Sequence, residues 1–245
     1  MRFMLITAGL LGISNISLAD DKWSFTLEGG VIYQTVNVVE IPPGTGTRFS
    51  LVDSLGSGPI PYFRAEMNYA INERHRIRLL AAPLSVEATA QTNQSINYNN
   101  VTFSSNTDTT FLYQFNSYRL TYAWRFLSNP RWNGDFGITF KIRQADIALK
   151  QGSLESNFPD LGFVPLLHFA AQWKFDNKWN IQSDLDAIAS QYGRAFDFGL
   201  FVHYRINPNW SVGAGYRTVE GGADVDIVYN FAWLHYAGLR VKAYY

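Results

Sequence analysis

The sequence contains no cysteine among its 245 residues, which excludes disulfide scaffolds, cysteine-ligated zinc, iron–sulfur clusters and thiol catalysis. Charge is also scarce, because charged residues make up 16% of the chain against about 25% in a typical globular domain. The 20 lysines and arginines balance the 20 aspartates and glutamates, so no net charge is available to attract nucleic acid. Beyond the N-terminus, no apolar run approaches the roughly 20 residues of a membrane-spanning helix.

The first 19 residues have the features of a secretory signal peptide. Arg2 precedes an apolar stretch from Met4 to Ile13, and Ser17-Leu18-Ala19 offers a small-x-small cleavage pattern. We therefore predict a signal peptide over residues 1–19 and one mature domain over residues 20–245. Export of a cysteine-free chain suits a bacterial envelope, where exposed thiols are oxidised.

Aromatic residues are abundant, at 16%, and apolar residues alternate with polar ones along the whole mature chain. In the last segment, Leu239, Val241 and Tyr245 share one face, whereas Arg240 and Lys242 share the other. A period of two residues predicts β-strands. The segments run for about nine to eleven residues or longer, which is the length of a tilted strand that crosses a bilayer.

The connections between these segments alternate between short and long. The short polar turns are Asn72–Arg74, Ser128–Gly134, Asp176–Lys178 and Asn207–Asn209, and the longer connections are Pro42–Pro59, Gln91–Thr109, Lys150–Pro159, Ser190–Gly193 and Glu220–Asn230. Four short turns and five longer loops predict ten strands, with both ends of the mature chain on the short-turn side. This is the plan of an outer-membrane barrel.

The aromatic residues at strand ends give the same indication. Six of the seven tryptophans lie close to the start of the mature chain or to a short turn, namely Trp23, Trp124, Trp132, Trp173, Trp179 and Trp210. Such clustering is typical of an aromatic belt at one membrane interface. With its final strand ending in Tyr245, the chain resembles bacterial outer-membrane β-barrel proteins, whose last strand commonly ends in an aromatic residue that the assembly machinery recognises.

This resemblance implies an all-β fold, a closed antiparallel transmembrane β-barrel with short periplasmic turns and longer extracellular loops. It also implies contact with outer-membrane lipid and lipopolysaccharide, and recognition by the barrel assembly machinery through Tyr245. We expect a monomer located in the outer membrane, with no nucleic-acid partner. A soluble secreted barrel of lipocalin type would alternate similarly with its apolar face inward. The many large aromatics and the few charges favour the membrane barrel.

In such a barrel the polar faces line the lumen, and we predict that they bring many charged residues inside. The predicted lumen-lining residues are Glu28, Arg64, Glu66, Arg78, Arg119, Arg125, Lys141, Arg143, His168, Lys174, Asp184, Asp186, Asp197, His203, Arg205, Arg217, Arg240 and Lys242. About ten strands enclose little more space than a filled eight-strand barrel. The residues therefore form either a structural ion-pair network or the lining of a narrow solute path.

Counting along the strands predicts specific neighbours in the lumen. Glu28 and Arg240 should pair across the seam between the first and last strands. His168 should lie opposite Asp184 or Asp186, and Asp186 opposite Asp197. Crowded carboxylates should bind protons more tightly, unless a cation such as Lys174 or Arg205 neutralises them.

A cluster of histidine and aspartate could serve acid–base chemistry or bind a divalent metal. No serine is placed beside His168 or His203 on the same face, so a hydrolase triad lacks its nucleophile. We therefore predict no catalytic residue, no metal site and no cofactor.

Two functions remain open. One is a narrow passive channel for small hydrophilic solutes, and the other is a structural or surface-interaction protein that acts through its extracellular loops. Exposed aromatics at Phe49, Tyr98 and Phe103 would favour the second function.

Overall fold

The structure, a computed structural model, describes residues 22–191 and 193–245, so the predicted signal peptide lies outside the described residues. The described chain is almost entirely β-structure. Its elements, in chain order, are β1 (Trp23–Glu40), β2 (Phe49–Ser50), α1 (Leu51–Leu55), β3 (Ile60–Ala70), β4 (His75–Ala82), β5 (Ser85–Ala90), β6 (Ile96–Tyr98), β7 (Val101–Phe103), β8 (Thr109–Ser128), β9 (Trp132–Gln151), β10 (Leu154–Asn157), β11 (Asp160–Lys174), β12 (Trp179–Ser190), β13 (Gly193–Asn207), β14 (Trp210–Val225) and β15 (Val228–Tyr244).

The wall is a closed antiparallel barrel of ten strands, as predicted. It is built from β1, β3, β4 with β5, β8, β9 and β11 to β15, and it closes where β15 pairs with β1. The β4 and β5 segments form one wall strand, because both pair with β8 in a single continuous register. The short strands β2, β6, β7 and β10 lie in the loops. No helix in the described residues is long and apolar enough to cross a membrane.

Alternation along the wall strands points the apolar side chains outward. Leu161 is 76% exposed, Leu239 is 67% exposed and Phe163 is 65% exposed. Tryptophans also point outward at the short-turn end, where Trp132 stacks on Trp173 with ring centroids 5.7 Å apart. An apolar exterior with an aromatic belt is the arrangement of a membrane barrel and the reverse of a lipocalin.

The four predicted short turns join the strands at one end, but the predicted loops at the other end need correction. Ser190 pairs directly with Gly193, so that connection is short. The predicted loop Glu220–Asn230 is mostly strand, because β14 and β15 stay paired up to Val225 and Val228. The glycines in this segment are typical of a loop, which is why a loop was predicted. In the structure they permit close strand pairing, because a side chain at Gly222 would collide with the backbone of β15.

Two long loops remain at the loop end, residues 41–59 and residues 91–108. Together with the wall residues around them they form an apolar core at the loop end of the lumen, which includes Leu51, Phe111 and Leu149. We call this core the plug. The aromatics Phe49, Tyr98 and Phe103 belong to it and are 8%, 0% and 1% exposed, so the condition under which they would favour surface interaction is not met. The inner wall at the loop end of the barrel is apolar, so burying these aromatic rings against it is more favourable than exposing them to water.

Candidate functional site in the lumen

The short-turn half of the lumen holds a network of five arginines and five carboxylates, which we call the charge network. Its members are Arg64, Arg78, Arg119, Arg217 and Arg240 with Glu28, Glu66, Asp184, Asp186 and Asp197. The formal charges cancel. Because the wall is apolar outside and the side chains are almost all buried, this balance is what makes so many charges tolerable.

The seam of the barrel carries the predicted ion pair. Glu28 of β1 lies directly opposite Arg240 of β15 in the strand register. The Arg240 Nε donates to Glu28 Oε2 at 2.8 Å, and a second guanidinium nitrogen lies 2.7 Å from the same oxygen. The prediction made by counting strand positions is therefore confirmed. The Tyr62 hydroxyl also donates to Glu28, at 3.2 Å.

Arg217 connects the largest number of carboxylates. Its guanidinium contacts Glu28 at 3.2 Å and Asp184 at 2.9 Å, and it also donates to Asp197. Gly199 on the neighbouring strand makes room for it, because a Cβ there would lie 2.9 Å from the guanidinium carbon. Three of the five carboxylates in the charge network are therefore hydrogen-bonded to this one buried side chain.

Asp186 organises the other side of the network. It pairs with His168 and Asp197 in the strand registers, as predicted. Its carboxylate accepts from His168 Nδ1 at 2.7 Å, from Arg78 at 2.6 Å and from Arg119 at 2.7 Å. The histidine is thus held by a carboxylate inside a filled lumen.

The prediction that Lys174 or Arg205 neutralises the lumen carboxylates was wrong. Lys174 is exposed near the turn after β11, and Arg205 donates to the carbonyl of Asn207 in the turn after β13. The carboxylates are instead neutralised by Arg217 and Arg240 on β14 and β15 and by arginines on β3, β4 and β8. Counting strand positions identifies neighbours on adjacent strands, whereas the arginines of β3, β4 and β8 reach these carboxylates across the lumen.

The other predicted lumen residues lie outside the charge network. Arg125 donates to Asp135 at 2.8 Å near the short-turn end, and Arg143 is paired with Asp160 towards the loop end. The sequence analysis missed both carboxylates, because Asp135 borders a predicted turn and Asp160 a predicted loop.

The remaining basic side chains of the predicted set lie against aromatic rings or the wall. Lys141 is buried with its ammonium 4.7 Å from the centre of the Phe115 ring, and Lys242 lies 5.2 Å from the Tyr244 ring. His203 is fully buried, with no hydrogen-bond partner for either ring nitrogen among the described residues. Within residues 22–191 and 193–245, no three metal-ligating side chains converge on one point.

Solved structures with a similar fold are membrane barrels. OmpT, an outer-membrane protease of Escherichia coli, is similar over 91% of this chain and 96% of its own, with 8% identity and a TM-score of 0.54. The fold is that of a bacterial outer-membrane β-barrel. No protein-family model and no curated protein matches the sequence.

Two further structures are similar at lower scores. The attachment invasion locus protein Ail of Yersinia pestis covers 91% of this chain and 99% of its own, with 10% identity and a TM-score of 0.38. The toluene transporter TodX of Pseudomonas putida covers 93% and 91%, with 9% identity and a TM-score of 0.38. At such identities the likeness concerns the fold alone, and the function of this outer-membrane barrel has to be argued from its own residues.

Proposed function

We propose that this chain is an integral protein of the bacterial outer membrane that acts at the cell surface, without enzymatic activity, through a preformed polar platform. The platform is formed by the two long loops, residues 41–59 and 91–108, and by the β9–β10 hairpin. We call these three segments the cap. The observation that supports the proposal is that the cap is cross-braced by hydrogen bonds and seated on the plug.

Hydrogen bonds join the first long loop to the second. The Thr47 amide donates to the Asn97 carbonyl at 2.8 Å, and the Asn97 amide donates to the Thr47 hydroxyl at 2.9 Å. The Asn99 amide donates to the Ile41 carbonyl at 2.8 Å, while its side-chain amide donates to Asn157 at 3.1 Å. All three segments of the cap are therefore tied together.

Buried anchors hold the cap to the wall. The Tyr98 hydroxyl donates to the Ile147 carbonyl at 2.7 Å inside the plug, and burial raises the pKa of this phenol above its ordinary value. Gln151 exchanges two hydrogen bonds with the backbone of Ser104, at 2.9 and 3.0 Å. A surface ordered in advance loses less conformational entropy when it binds a partner.

The outer surface of the cap is polar and mostly uncharged. Its exposed side chains include Asn93, Gln94, Asn100, Thr102 and Asn106. Because the aromatics of both loops are buried in the plug, recognition at this surface would rely on hydrogen bonds. We infer a partner with a hydroxyl- or amide-rich surface.

A narrow passive channel for small hydrophilic solutes is the second candidate, and the charge network is the observation that favours it. Opposed arginines and carboxylates could pass small ions in steps if the cap moved aside. In the structure, however, the plug fills the loop half of the lumen and the ion-paired network fills the other half. We therefore rank the channel below the platform.

Membrane placement is part of the proposal. The exposed apolar band would face outer-membrane lipid, the cap would border lipopolysaccharide, and the protein would be a monomer. Tyr245 is 64% exposed at the end of the last strand, where it exchanges hydrogen bonds of 2.9 Å with the backbone of Trp23. We propose this strand end as the segment that the assembly machinery recognises.

The platform is tested with whole cells that carry the protein, by their binding to immobilised extracellular matrix. Changing Asn93 and Thr102 to Arg should reduce binding at least tenfold, because both side chains are exposed on the outer surface of the cap. Asp226→Arg, an exposed position in the β14–β15 turn outside the cap, makes the same change in net charge, is the matched control and should bind like wild type. Purified protein in a planar bilayer should be silent.

Unchanged binding by the double variant, or no binding by wild type, would contradict the platform. Discrete conductance steps that change with Arg240→Gln would establish the channel in its place.

A further inference from the structure

The barrel wall is incompletely paired between β3 and the strand formed by β4 and β5. Hydrogen-bonded pairing runs from Ala70 opposite Arg76 only as far as Ala65 opposite Ala81. Beyond this point β3 remains paired with β1, and β5 remains paired with β8. Within the described chain, no backbone hydrogen bond joins the two facing edges, residues 60–64 and residues 82–90. We call this interval the wall gap.

Such a gap is unusual in a wall that faces lipid. The bilayer core provides no water for exposed amides and carbonyls, so unpaired strand edges there are costly and open edges are avoided. Pro83, which has no amide hydrogen, lies on one edge of the gap. On the inside, α1 packs against β1 and β5, and the Leu84 side chain is buried nearby.

A groove lies on the outer surface directly beside the wall gap. It has a volume of about 820 Å³ and is lined almost entirely by apolar side chains, among them Phe25, Met67, Tyr118 and Phe163. Ala65 and Ala81, the last residues paired before the strands separate, also line it. Small side chains at this point create a concave surface, whereas bulky rings such as Phe136 and Phe169 cover the wall elsewhere.

A small cavity lies on the inner side of the same gap. It is lined by residues from both edges, including Phe63, Pro83 and Leu84, and by the lumen residues Phe115 and Tyr236. Its volume is about 20 Å³, which is room for about one water molecule. Arg119 lines both the outer groove and this cavity, so the two spaces are neighbours at the wall. The lumen beyond is occupied by the charge network and the plug.

We propose that the groove and the wall gap form a lateral binding site for one acyl chain of a membrane lipid. The groove is continuous with the exposed apolar band that faces the bilayer, and it lies above the aromatic belt, where the molecules available are acyl chains. A linear chain fits an apolar groove, and its end reaches the start of the wall gap at Ala65 and Ala81, where it makes apolar contacts and no hydrogen bond to the strand edges. Because the cavity inside is so small, the site holds its ligand at the wall and does not lead through the barrel.

The site can be tested by photocrosslinking. The full-length mature protein is reconstituted in vesicles of phosphatidylethanolamine and phosphatidylglycerol that contain phosphatidylcholine with a diazirine at the end of one acyl chain. After illumination, mass spectrometry locates the labelled residues. We expect labelling to be concentrated at least fivefold at Tyr118, Leu120, Phe63 and Pro83 over outward residues of equal exposure elsewhere in the band.

Filling the groove provides the decisive comparison. Ala81→Trp should abolish the excess labelling, whereas Ala214→Trp, which adds the same side chain to an outward position on β14, should leave it unchanged. Heat-modified migration on a gel verifies that both variants are folded. Even labelling around the barrel, or excess labelling that persists in Ala81→Trp, would overturn the site. Labels that stop short of Phe63 and Pro83 would overturn the part played by the wall gap. Photocrosslinking does not depend on binding at the cell surface, so a negative result for this site leaves the platform proposal unaffected, and the reverse also holds.

Discussion

The two halves of the lumen are filled by different kinds of side chain, charged in one half and apolar in the other. The short-turn half is filled by charged side chains that all come from the barrel strands, such as Glu28, Asp186 and Arg217. The loop half is filled largely by apolar side chains, several of which, such as Phe49, Leu51 and Phe103, come from the two long loops. The first filling depends on directional ion pairs and the second on buried apolar area.

This difference assigns a different task to each half. A one-residue slip of any strand would turn its charged residues out into lipid, so the charge network specifies the register of the wall. The plug is non-directional, and its loops can adjust while keeping their apolar side chains covered. The network therefore determines how the barrel closes, and the plug determines how the cap is seated.

The largest effect is expected from charge reversal in the network. Glu28→Lys should destabilise the folded protein by about 3–5 kcal/mol or more, because it removes the partner of Arg64, Arg217 and Arg240 and adds a fourth cation. The folded form should lose its resistance to heating before gel electrophoresis. Adding Arg240→Glu should restore that resistance in part, since Arg217 still faces the new lysine. Absence of rescue would argue against the pairing across the seam.

A smaller effect is expected from a hole in the plug. Phe103→Ala should reduce the free energy of unfolding by about 3 kcal/mol, the lower end for such truncations, because a loop can partly close the cavity. Thr102→Ala, at an exposed position next to it, should change stability by less than about 0.5 kcal/mol. Urea titration in lipid vesicles measures both. Equal effects of the two substitutions would show that Phe103 is not seated in the plug.

The smallest effect concerns the Tyr98 hydroxyl. Tyr98→Phe removes the hydrogen bond to the Ile147 carbonyl and should cost about 1 kcal/mol near neutral pH. Burial raises the pKa of this phenol in the folded state, so the unfolded chain releases the proton first. Stability is therefore lost as pH rises above about 10, and the loss should be less steep in Tyr98→Phe. Parallel pH profiles for the two proteins would contradict the buried position of Tyr98.

The wall was predictable from the sequence because a period of two residues reports directly which side chains share a face. Counting strand positions placed Glu28 opposite Arg240 and His168 opposite Asp184 or Asp186, and the registers contain no irregularity between the strand ends and these pairs. The same method could not see Arg78 and Arg119 as partners of Asp186, because contacts across a lumen depend on the curvature of the whole barrel.

The cap was not predictable in the same way. Loops have no period, so nothing in the sequence distinguished an exposed Tyr98 from one buried in the plug. The wall gap was also invisible, because β3 and β5 each keep a regular strand pattern through pairing on their other edge.

The position of two arginines on the last two strands has a consequence for the order of assembly. Arg217 and Arg240 belong to β14 and β15, whereas Glu28 belongs to β1, the first strand of the barrel. A barrel without the last two strands has five network carboxylates and three arginines, so two negative charges on the faces that must become its interior are not balanced. Neutralisation and ring closure coincide when the final hairpin arrives. A chain shortened by that hairpin should remain open and be degraded, which makes completion of synthesis a condition for a stable barrel.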